Sequence, residues 1–324
     1  MHDRGISLRK VGKMPSDETF AFFDVDDTLV TCKTMFSFQD FWFKTRHPTN
    51  GQILAAEFSS QVDEFRSSGR PREELNSFYY STFAGRKPED VAETARLWFE
   101  KHRRNNPAFY VPAALSALVH HRQQGHEPVL VSGSMVDIIS PISEELRTRH
   151  VLATRLSIVD GHYSGIIVPP QTIGAGKAVA IRELLSREGA DASKCWAYGD
   201  HLSDLPMLEA VGHPVVVSDD ESMMRLAKQR SWQLLDPTVV LATALGSRRR
   251  ISLPSGVSAV RGNASSSSLS PRLGRASLKR PRRASMVTAA LAASLASTAS
   301  VTAFSSRSRP ATNSAGSIGN PRAA

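Results

Sequence analysis

Short apolar runs and longer stretches of helix-like apolar spacing alternate along much of this chain. The short runs are bounded by turn residues, which predicts buried strands at residues 20–24, 128–134, 150–159, 195–200 and 213–218, with 165–169 returning in a hairpin. Apolar residues spaced three to four apart predict helices at residues 112–125, 141–149, 176–188, 204–211 and 222–230. Strands alternating with helices of this length predict an α/β fold built on a parallel sheet.

One block of residues interrupts this alternation after the first strand. From about residue 35 to residue 106, every apolar pattern has helical spacing, as in MFSFQDFWF at 35–43 and PEDVAETARLWFEKH at 88–102. Pro88, followed by two acidic residues, is typical of a first helical turn. We therefore predict an inserted helical domain at residues 35–106, within a core formed by residues 19–34 and 107–246.

The positive charge of the chain is concentrated at its C-terminal end. The formal net charge is +9, but residues 247–324 contain thirteen Lys and Arg and no Asp or Glu, which leaves −4 for residues 1–246. The sequence pI of about 9.8 therefore does not indicate a basic folded body. Because these last residues are rich in Ser, Pro and Arg, we predict a disordered basic tail. Residues 1–18 are predicted to be a flexible lead-in.

Composition excludes or disfavours several classes of protein. The only two cysteines, Cys32 and Cys195, provide no disulfide framework and fit a reducing compartment, so we expect a cytoplasmic protein. The N-terminal residues lack the apolar core of a secretory signal, and residues 286–304, the nearest approach to a spanning helix, are mostly Ala, Ser and Thr. The tail leaves open a contact with nucleic acid or an anionic membrane, although aromatic residues are not interleaved with its charges. No obligatory protein partner is indicated.

Three carboxylates stand within four positions at the end of the first predicted strand. Asp24 directly follows Phe22 and Phe23, and one valine separates it from Asp26 and Asp27. Carboxylates this close repel one another unless a cation lies between them. Mg²⁺ prefers oxygen ligands and binds through one or two carboxylates together with a substrate phosphate. The cluster therefore predicts a Mg²⁺ site that uses the carboxylate of Asp24 and the backbone carbonyl of Asp26.

Three further motifs follow later elements of the predicted sheet. They contain Ser132 and Gly133 in VLVSGS, Lys177 in IGAGK, and Asp200 and Asp204 in GDHLSD. Because the carboxyl ends of parallel strands form one crevice, these residues are expected to converge on Asp24. Asp200 would then be a further Mg²⁺ ligand, and Asp204 would orient the ligands around the metal.

The spacing of these residues suggests a role for each in phosphoryl transfer. Asp24 can attack phosphorus to form an aspartyl-phosphate, and Asp26 can protonate the leaving oxygen and later deprotonate a water. Lys177 supplies positive charge to the developing anion. Ser132, with nearby backbone groups such as Gly133, is expected to hold the phosphoryl oxygens. Thr28 is expected to bind Asp26 or the phosphate.

Taken in order, four of these segments resemble the motifs of the haloacid dehalogenase-like hydrolase superfamily. The segments are DVDDTLV, VLVSGS, the GK of IGAGKAVAIREL and YGDHLSDLPML, and the resemblance covers residues 20–236. It is closest to the branch that contains phosphoserine phosphatase, which has a small helical cap between the first two motifs. The resemblance implies a Rossmann-like core, Mg²⁺ dependence and a phosphatase that forms an aspartyl-phosphate. A phosphotransferase with the same intermediate is the alternative.

Two positions depart from the pattern of phosphoserine phosphatase. Lys33 stands where that enzyme has a Glu that reads the substrate ammonium, and Tyr80 stands where its cap has an Arg. A Lys would repel an ammonium group, so phosphoserine is not the predicted substrate. Tyr80 is a candidate for lining an apolar substrate pocket with Tyr79 and Phe83, whereas the alternative is that these rings fill the core of the cap. Four arginines of the cap either bind an anionic substrate or lie on the surface; they are Arg66, Arg70, Arg72 and Arg86.

Overall fold

The structure is a computed structural model that describes residues 17–240, so the predictions for the lead-in and the basic tail lie outside the described residues. Within this range seven strands form one sheet, in the order β4-β3-β2-β1-β5-β6-β7. The strands are β1 (Phe20–Asp24), β2 (Glu127–Met135), β3 (His150–Val159), β4 (His162–Val168), β5 (Trp196–Gly199), β6 (His213–Val217) and β7 (Gln233–Leu235). Neighbouring strands are parallel except in the β3–β4 hairpin. The predicted α/β fold with a mainly parallel sheet is confirmed.

Among residues 17–240, nine α-helices accompany the sheet; the first four, which lie between β1 and the fifth helix in the chain, are called the cap, and the other five are called the core helices. The cap helices are α1 (Thr34–Arg46), α2 (Gly51–Ser67), α3 (Arg72–Ser81) and α4 (Pro88–Asn105). The core helices are α5 (Pro112–Gln123), α6 (Val136–Leu146), α7 (Ala175–Glu188), α8 (Leu205–Leu208) and α9 (Glu221–Gln229). None of these helices has the length and apolar character that a bilayer crossing requires.

The central strand β1 is buried on both faces, which explains its unbroken apolar sequence. Successive side chains of a strand point to opposite faces. Phe20 and Phe22 therefore pack with α7, α8 and α9 in one apolar cluster, whereas Ala21 and Phe23 pack with α5, α6 and the cap in the other. Because helices cover both faces of the sheet here, β1 has no solvent-exposed face, and its first polar side chain is that of its last residue, Asp24.

The cap is held together mainly by buried aromatic rings. Phe38 meets Trp98 edge-on with ring centroids 6.4 Å apart, and Tyr79 and Phe83 lie 5.3 Å apart. All four side chains are fully buried. The guanidinium of Arg86 lies over the Phe83 ring, 4.1 Å from its centroid, and does not line the cavity between the cap and the sheet. Tyr79 and Phe83 therefore belong to the core of the cap, and the half-buried Arg86 packs against it.

Two helices differ from their predicted bounds, for local physical reasons. Pro141 favours a helix start, and the helix was predicted to begin there. Instead α6 begins at Val136 and includes Pro141. Ile138 and Ile139 are fully buried and extend the apolar face of the helix toward its N-terminus. The helix predicted at 204–211 is reduced to α8, preceded by a 3₁₀ turn over Leu202–Asp204.

A buried histidine lies between α5 and the sheet. His121 is 4% exposed, its Nε2 lies 2.7 Å from the Tyr198 hydroxyl, and its Nδ1 lies 2.9 Å from Nδ1 of His126. Burial, together with the neighbouring charges that His126, His120 and His213 would carry, lowers the pKa of His121 from 6.5 to about 3. The folded protein therefore holds this imidazole neutral.

We expect His121 to make the fold sensitive to mild acid. Because its pKa is lower in the folded state, its contribution to stability is complete above pH 6.5 and is lost as the pH falls from 6.5 toward 3. Between pH 7.5 and pH 5 this loss should be about 2 kcal/mol in the free energy of unfolding. Urea titrations of wild type and His121→Gln at both pH values would measure it. The exposed His47, changed to Gln, is the matched control; equal pH dependence in wild type and His121→Gln would contradict the assignment.

Candidate active site

A tight turn after β1 places the first acidic cluster. Asp24 is the last residue of β1 and is 5% exposed. Asp27 has φ 65°, a left-handed conformation that Asp tolerates better than most residues, and its N–H donates to the Val30 carbonyl at 2.9 Å. The turn returns Thr28 to Asp24, where its hydroxyl lies 3.3 Å from Asp24 Oδ2 and 2.8 Å from Asp200 Oδ1. Thr28 therefore joins two carboxylates by hydrogen bonds, those of Asp24 and Asp200.

Side chains from three separate elements converge on Asp24. Lys177, in the first turn of α7, donates from Nζ to Asp24 Oδ1 at 2.5 Å and to Asp204 Oδ1 at 2.7 Å. Asp200 directly follows β5, and Asp204 ends the 3₁₀ turn beyond it. One carboxylate oxygen from each of Asp24, Asp200 and Asp204 lies within 4.8 Å of the others. The carboxyl ends of β1 and β5 thus assemble a group of three acids and one lysine, all buried except the half-buried Asp200.

A glycine at the end of β5 makes room for Asp204. A Cβ atom on Gly199 would lie 2.8 Å from Cβ and 3.1 Å from Oδ2 of Asp204. Asp204 Oδ2 accepts the backbone N–H of His201 at 3.3 Å, which completes the turn. Any larger residue at position 199 would displace the carboxylate that binds Lys177. Gly199 is part of the YGD segment of the sequence. The reason why it must be glycine becomes clear only from the position of Asp204.

The second predicted catalytic acid, Asp26, is held by the first residue of α1. Its Oδ1 accepts the Thr34 hydroxyl at 2.6 Å and the Thr34 N–H at 3.2 Å. The hydroxyl oxygens of Thr34 and Ser134 lie 2.5 Å apart, which connects this acid to β2. Burial raises the pKa of Asp26, while the two bonds from Thr34 act in the opposite direction. Thr34 was not identified from the sequence, because nothing in its surroundings marks it as a partner of Asp26.

The β2 motif supports the site mainly through its backbone. Ser132 is fully buried, and its Oγ accepts the N–H of Ser134 at 3.0 Å. Gly133 lines the cavity, and its carbonyl accepts the hydroxyls of Tyr80 at 2.8 Å and Thr154 at 2.9 Å. Tyr80 is fully buried and does not line the cavity. Its hydroxyl supports the Gly133 backbone and its ring packs in the cap, and a contact between Tyr80 and the substrate stays a prediction.

A cavity of about 330 Å³ lies between this acidic group and the cap. Asp24, Asp26, Lys177, Asp200 and Asp204 line it on the core side. On the opposite side it is lined by Lys33, which directly precedes α1, and by the cap residues Met35, Phe36, Phe65, Arg66, Arg70, Arg72, Glu73, Leu75 and Asn76. Neither Thr28 nor Ser132 contributes to the lining. The sequence left open whether the arginines of the cap bind an anionic substrate or lie on the surface. It gave no indication that Asn76 lines the cavity.

Electrostatics show that Lys177 alone does not balance the buried carboxylates. Burial, and then repulsion by Asp204, raises the pKa of Asp24 well above its ordinary value, although Lys177 acts to lower it. Burial and Asp204 likewise raise the pKa of Asp200. Burial would lower the pKa of Lys177, but Asp204 and Asp24 raise it overall. Three hard oxygen donors with too little positive charge around them are a suitable donor set for a divalent cation such as Mg²⁺.

Comparison with known proteins identifies the class to which this fold and site belong. The profile of the haloacid dehalogenase-like hydrolase family matches residues 21–209, and the chain belongs to this family. A probable phosphatase of Mycobacterium tuberculosis is 32% identical over 245 residues, which cover 75% of this chain and 83% of the relative. A phosphoserine phosphatase of the same organism is 27% identical over 247 residues, covering 72% of this chain and 74% of the relative.

A solved structure shares the fold. A Bordetella pertussis protein of unknown function matches with a TM-score of 0.60 at 24% identity, covering 68% of this chain and 100% of that one. The predicted superfamily and its phosphoserine-phosphatase-like branch are confirmed, and so is the prediction that the protein is a phosphatase. The roles of individual site residues stay predictions.

Proposed function

We propose that this phosphatase hydrolyses a small phosphorylated metabolite with Mg²⁺, through an aspartyl-phosphate on Asp24. The observation that carries the proposal is the position of Asp24 on the cavity wall, bound to Lys177 and grouped with two further carboxylates. Residues 19–34 and 107–246 would form the catalytic unit, and residues 35–106 its cap. Both cysteines are free in the described part of the chain, and a cytoplasmic location stays a prediction.

The metal would be held by the carboxylates of Asp24 and Asp200 and by the backbone carbonyl of Asp26, with Asp204 in support. When bound, Mg²⁺ would supply positive charge to the phosphoryl oxygens and to the three acids. Lys177 keeps its own role, because its bonds to Asp24 and Asp204 fix both side chains. Its charge would also stabilise the transferring phosphoryl group in a site partly shielded from water.

In the first step, a carboxylate oxygen of Asp24 forms a bond to phosphorus while the ester P–O bond breaks. The leaving alkoxide takes the proton of Asp26, whose raised pKa favours the protonated acid. In the second step, a water attacks the same phosphorus and gives its proton to Asp26. The bond between phosphorus and Asp24 then breaks, inorganic phosphate leaves, and both acids return to their starting states.

Two features of the cavity wall support these different roles for Asp24 and Asp26 and the position of the phosphoryl group. Asp26 is fixed by Thr34 on the cap side of the cluster, whereas Asp24 is fixed by Lys177 on the core side, so the two acids have different partners. Gly133, held through its carbonyl by two hydroxyls, exposes backbone to the cavity where phosphoryl oxygens would lie. Ser132 and Thr28 would then act by holding β2 and the acidic pair in place.

A metal titration tests the proposal. We expect phosphate release from an aryl phosphate to rise at least about 100-fold on adding Mg²⁺ to chelator-treated protein. Ca²⁺ is the matched control, because it needs six to eight ligands at longer distances and should not restore activity. Mg²⁺ should also raise the melting temperature of wild type but not of Asp200→Asn. Equal phosphate release with chelator and with Mg²⁺ would overturn the metal-dependent mechanism.

A further inference from the structure

The cap presents to the active-site cavity an amide that lacks a hydrogen-bond acceptor. Asn76 of α3 is 4% exposed and lines the cavity, and its Nδ2 has no hydrogen-bond partner among residues 17–240. Leaving a buried donor unpaired destabilises a protein, and such groups are rare in native structures. A bound substrate that carries an acceptor oxygen would satisfy this donor.

A cation lies on the same face of α3. Arg72 precedes Asn76 by four residues, which places both on one side of the helix. Its Nη1 contacts Nδ1 of His201 and the hydroxyl of Ser203, each at 3.1 Å, and both partners are neutral acceptors. Within the described part of the chain Arg72 forms no ion pair. Its charge therefore remains available to an anion in the cavity.

The other cations that the cap side contributes to the cavity differ from Arg72, because each has a carboxylate partner. Those pairs are Lys33 with Asp27 at 2.9 Å, Arg66 with Asp63 at 3.5 Å and Arg70 with Glu74 at 2.6 Å. Between residues 65 and 76 the lining contains one carboxylate, that of Glu73, and three cations, those of Arg66, Arg70 and Arg72. Because the other cations are paired, Arg72 is the charge that favours an anionic group over an ammonium group on the part of the substrate that faces the cap.

We propose that Asn76, supported by Arg72, binds an anionic oxygen group on the alcohol part of the substrate. This proposal rests on the proposed phosphatase function and names its substrate class. The preferred substrate would be the phosphate ester of a small hydroxy acid that lacks an ammonium group. Met35, Phe36 and Leu75 would contact its short carbon chain, since they line the same cavity.

Four phosphate esters of similar size separate the contributions of the two charges. 3-Phosphooxypropionate carries a carboxylate only, and O-phosphoserine carries a carboxylate and an ammonium. O-Phosphoethanolamine carries an ammonium only, and propyl phosphate carries neither. We expect kcat/KM to be highest for 3-phosphooxypropionate and at least about tenfold lower for propyl phosphate. Phosphoethanolamine should be the poorest of the four. Propane-1,3-diol bisphosphate tests whether a second phosphate replaces the carboxylate; a higher kcat/KM for it would overturn the hydroxy-acid assignment.

Variants of Asn76 test whether this amide causes the preference. In Asn76→Ala the ratio of kcat/KM between 3-phosphooxypropionate and propyl phosphate should fall about tenfold. The ratio does not depend on the fraction of active enzyme, so partial misfolding would not mimic the result. In Asn76→Asp the added negative charge should shift the preference toward phosphoethanolamine. Asn105→Ala, which removes an exposed amide from the last residue of α4, is the matched control and should leave the ratio unchanged.

The outcomes distinguish this inference from the function on which it rests. Hydrolysis of all four esters with similar kcat/KM would overturn the subsite and leave the phosphatase mechanism intact. An unchanged ratio in Asn76→Ala would likewise show that another group reads the carboxylate. Failure to hydrolyse any of the esters or an aryl phosphate in the presence of Mg²⁺ would overturn the proposed function itself, and the subsite with it.

Discussion

Replacing Asp24 with Asn is expected to abolish the phosphatase activity, with kcat falling by roughly 10⁴-fold or more. An amide is a poor nucleophile, so the bond to phosphorus would not form. The shape of the side chain is kept, and its Oδ1 can still accept the hydrogen bond from Lys177. Phosphate release from an aryl phosphate in the presence of Mg²⁺ measures the loss.

The same substitution should leave the fold intact or make it more stable when no metal is present. Burial and repulsion raise the pKa of Asp24, so the ionised carboxylate is unfavourable there. We expect the melting temperature of Asp24→Asn in chelator to equal or exceed that of wild type. Asp40→Asn, an exposed change in α1, is the control and should preserve both activity and stability. More than a tenth of the wild-type kcat in Asp24→Asn would exclude Asp24 as the nucleophile.

Replacing Lys177 with Met is expected to destabilise the protein strongly, by about 3–5 kcal/mol in the presence of chelator. The substitution leaves Asp24 and Asp204 buried without the cation that now lies 2.5 Å and 2.7 Å from their oxygens. Added Mg²⁺ should restore part of the lost stability, because it would supply positive charge to the same acids. Urea unfolding of Lys177→Met with chelator and with Mg²⁺ measures both effects.

Activity should also fall in Lys177→Met, by roughly 100-fold even at saturating Mg²⁺. A bound metal would compensate for charge in the acidic group but would not replace the hydrogen bond by which Lys177 holds Asp24. Lys228→Met, at an exposed position of α9, is the matched control for loss of a lysine. Equal stability of Lys177→Met and wild type in chelator would show that the carboxylates are balanced by some other group.

The parts of the site that follow regular elements were predictable from the sequence. Asp24 ends an apolar strand and Asp200 follows another, and the carboxyl ends of parallel strands form one crevice. Lys177 could be placed there because its motif, IGAGK, follows the predicted hairpin strand. These inferences depend on local patterns and on a general rule of sheet topology, so they required no knowledge of side-chain packing.

The contacts between cap and core were not predictable in the same way. The bond between Thr34 and Asp26, the contact of Arg72 with His201 and the burial of Asn76 all depend on how the four cap helices lie over the sheet. Aromatic spacing likewise could not distinguish a pocket from a core. Tyr80 illustrates this, because its ring packs in the cap while its hydroxyl reaches the Gly133 carbonyl.

The position of Thr34 links access to the site with its chemistry. Thr34 is the first residue of α1, and it is also the residue that orients Asp26. A movement that lifts α1 away from the sheet would take both of its donors from that carboxyl group. Admission of a substrate and loss of an oriented proton donor would then be one and the same event. The ester bond would be cleaved only after the helices have returned, when the leaving group is already enclosed.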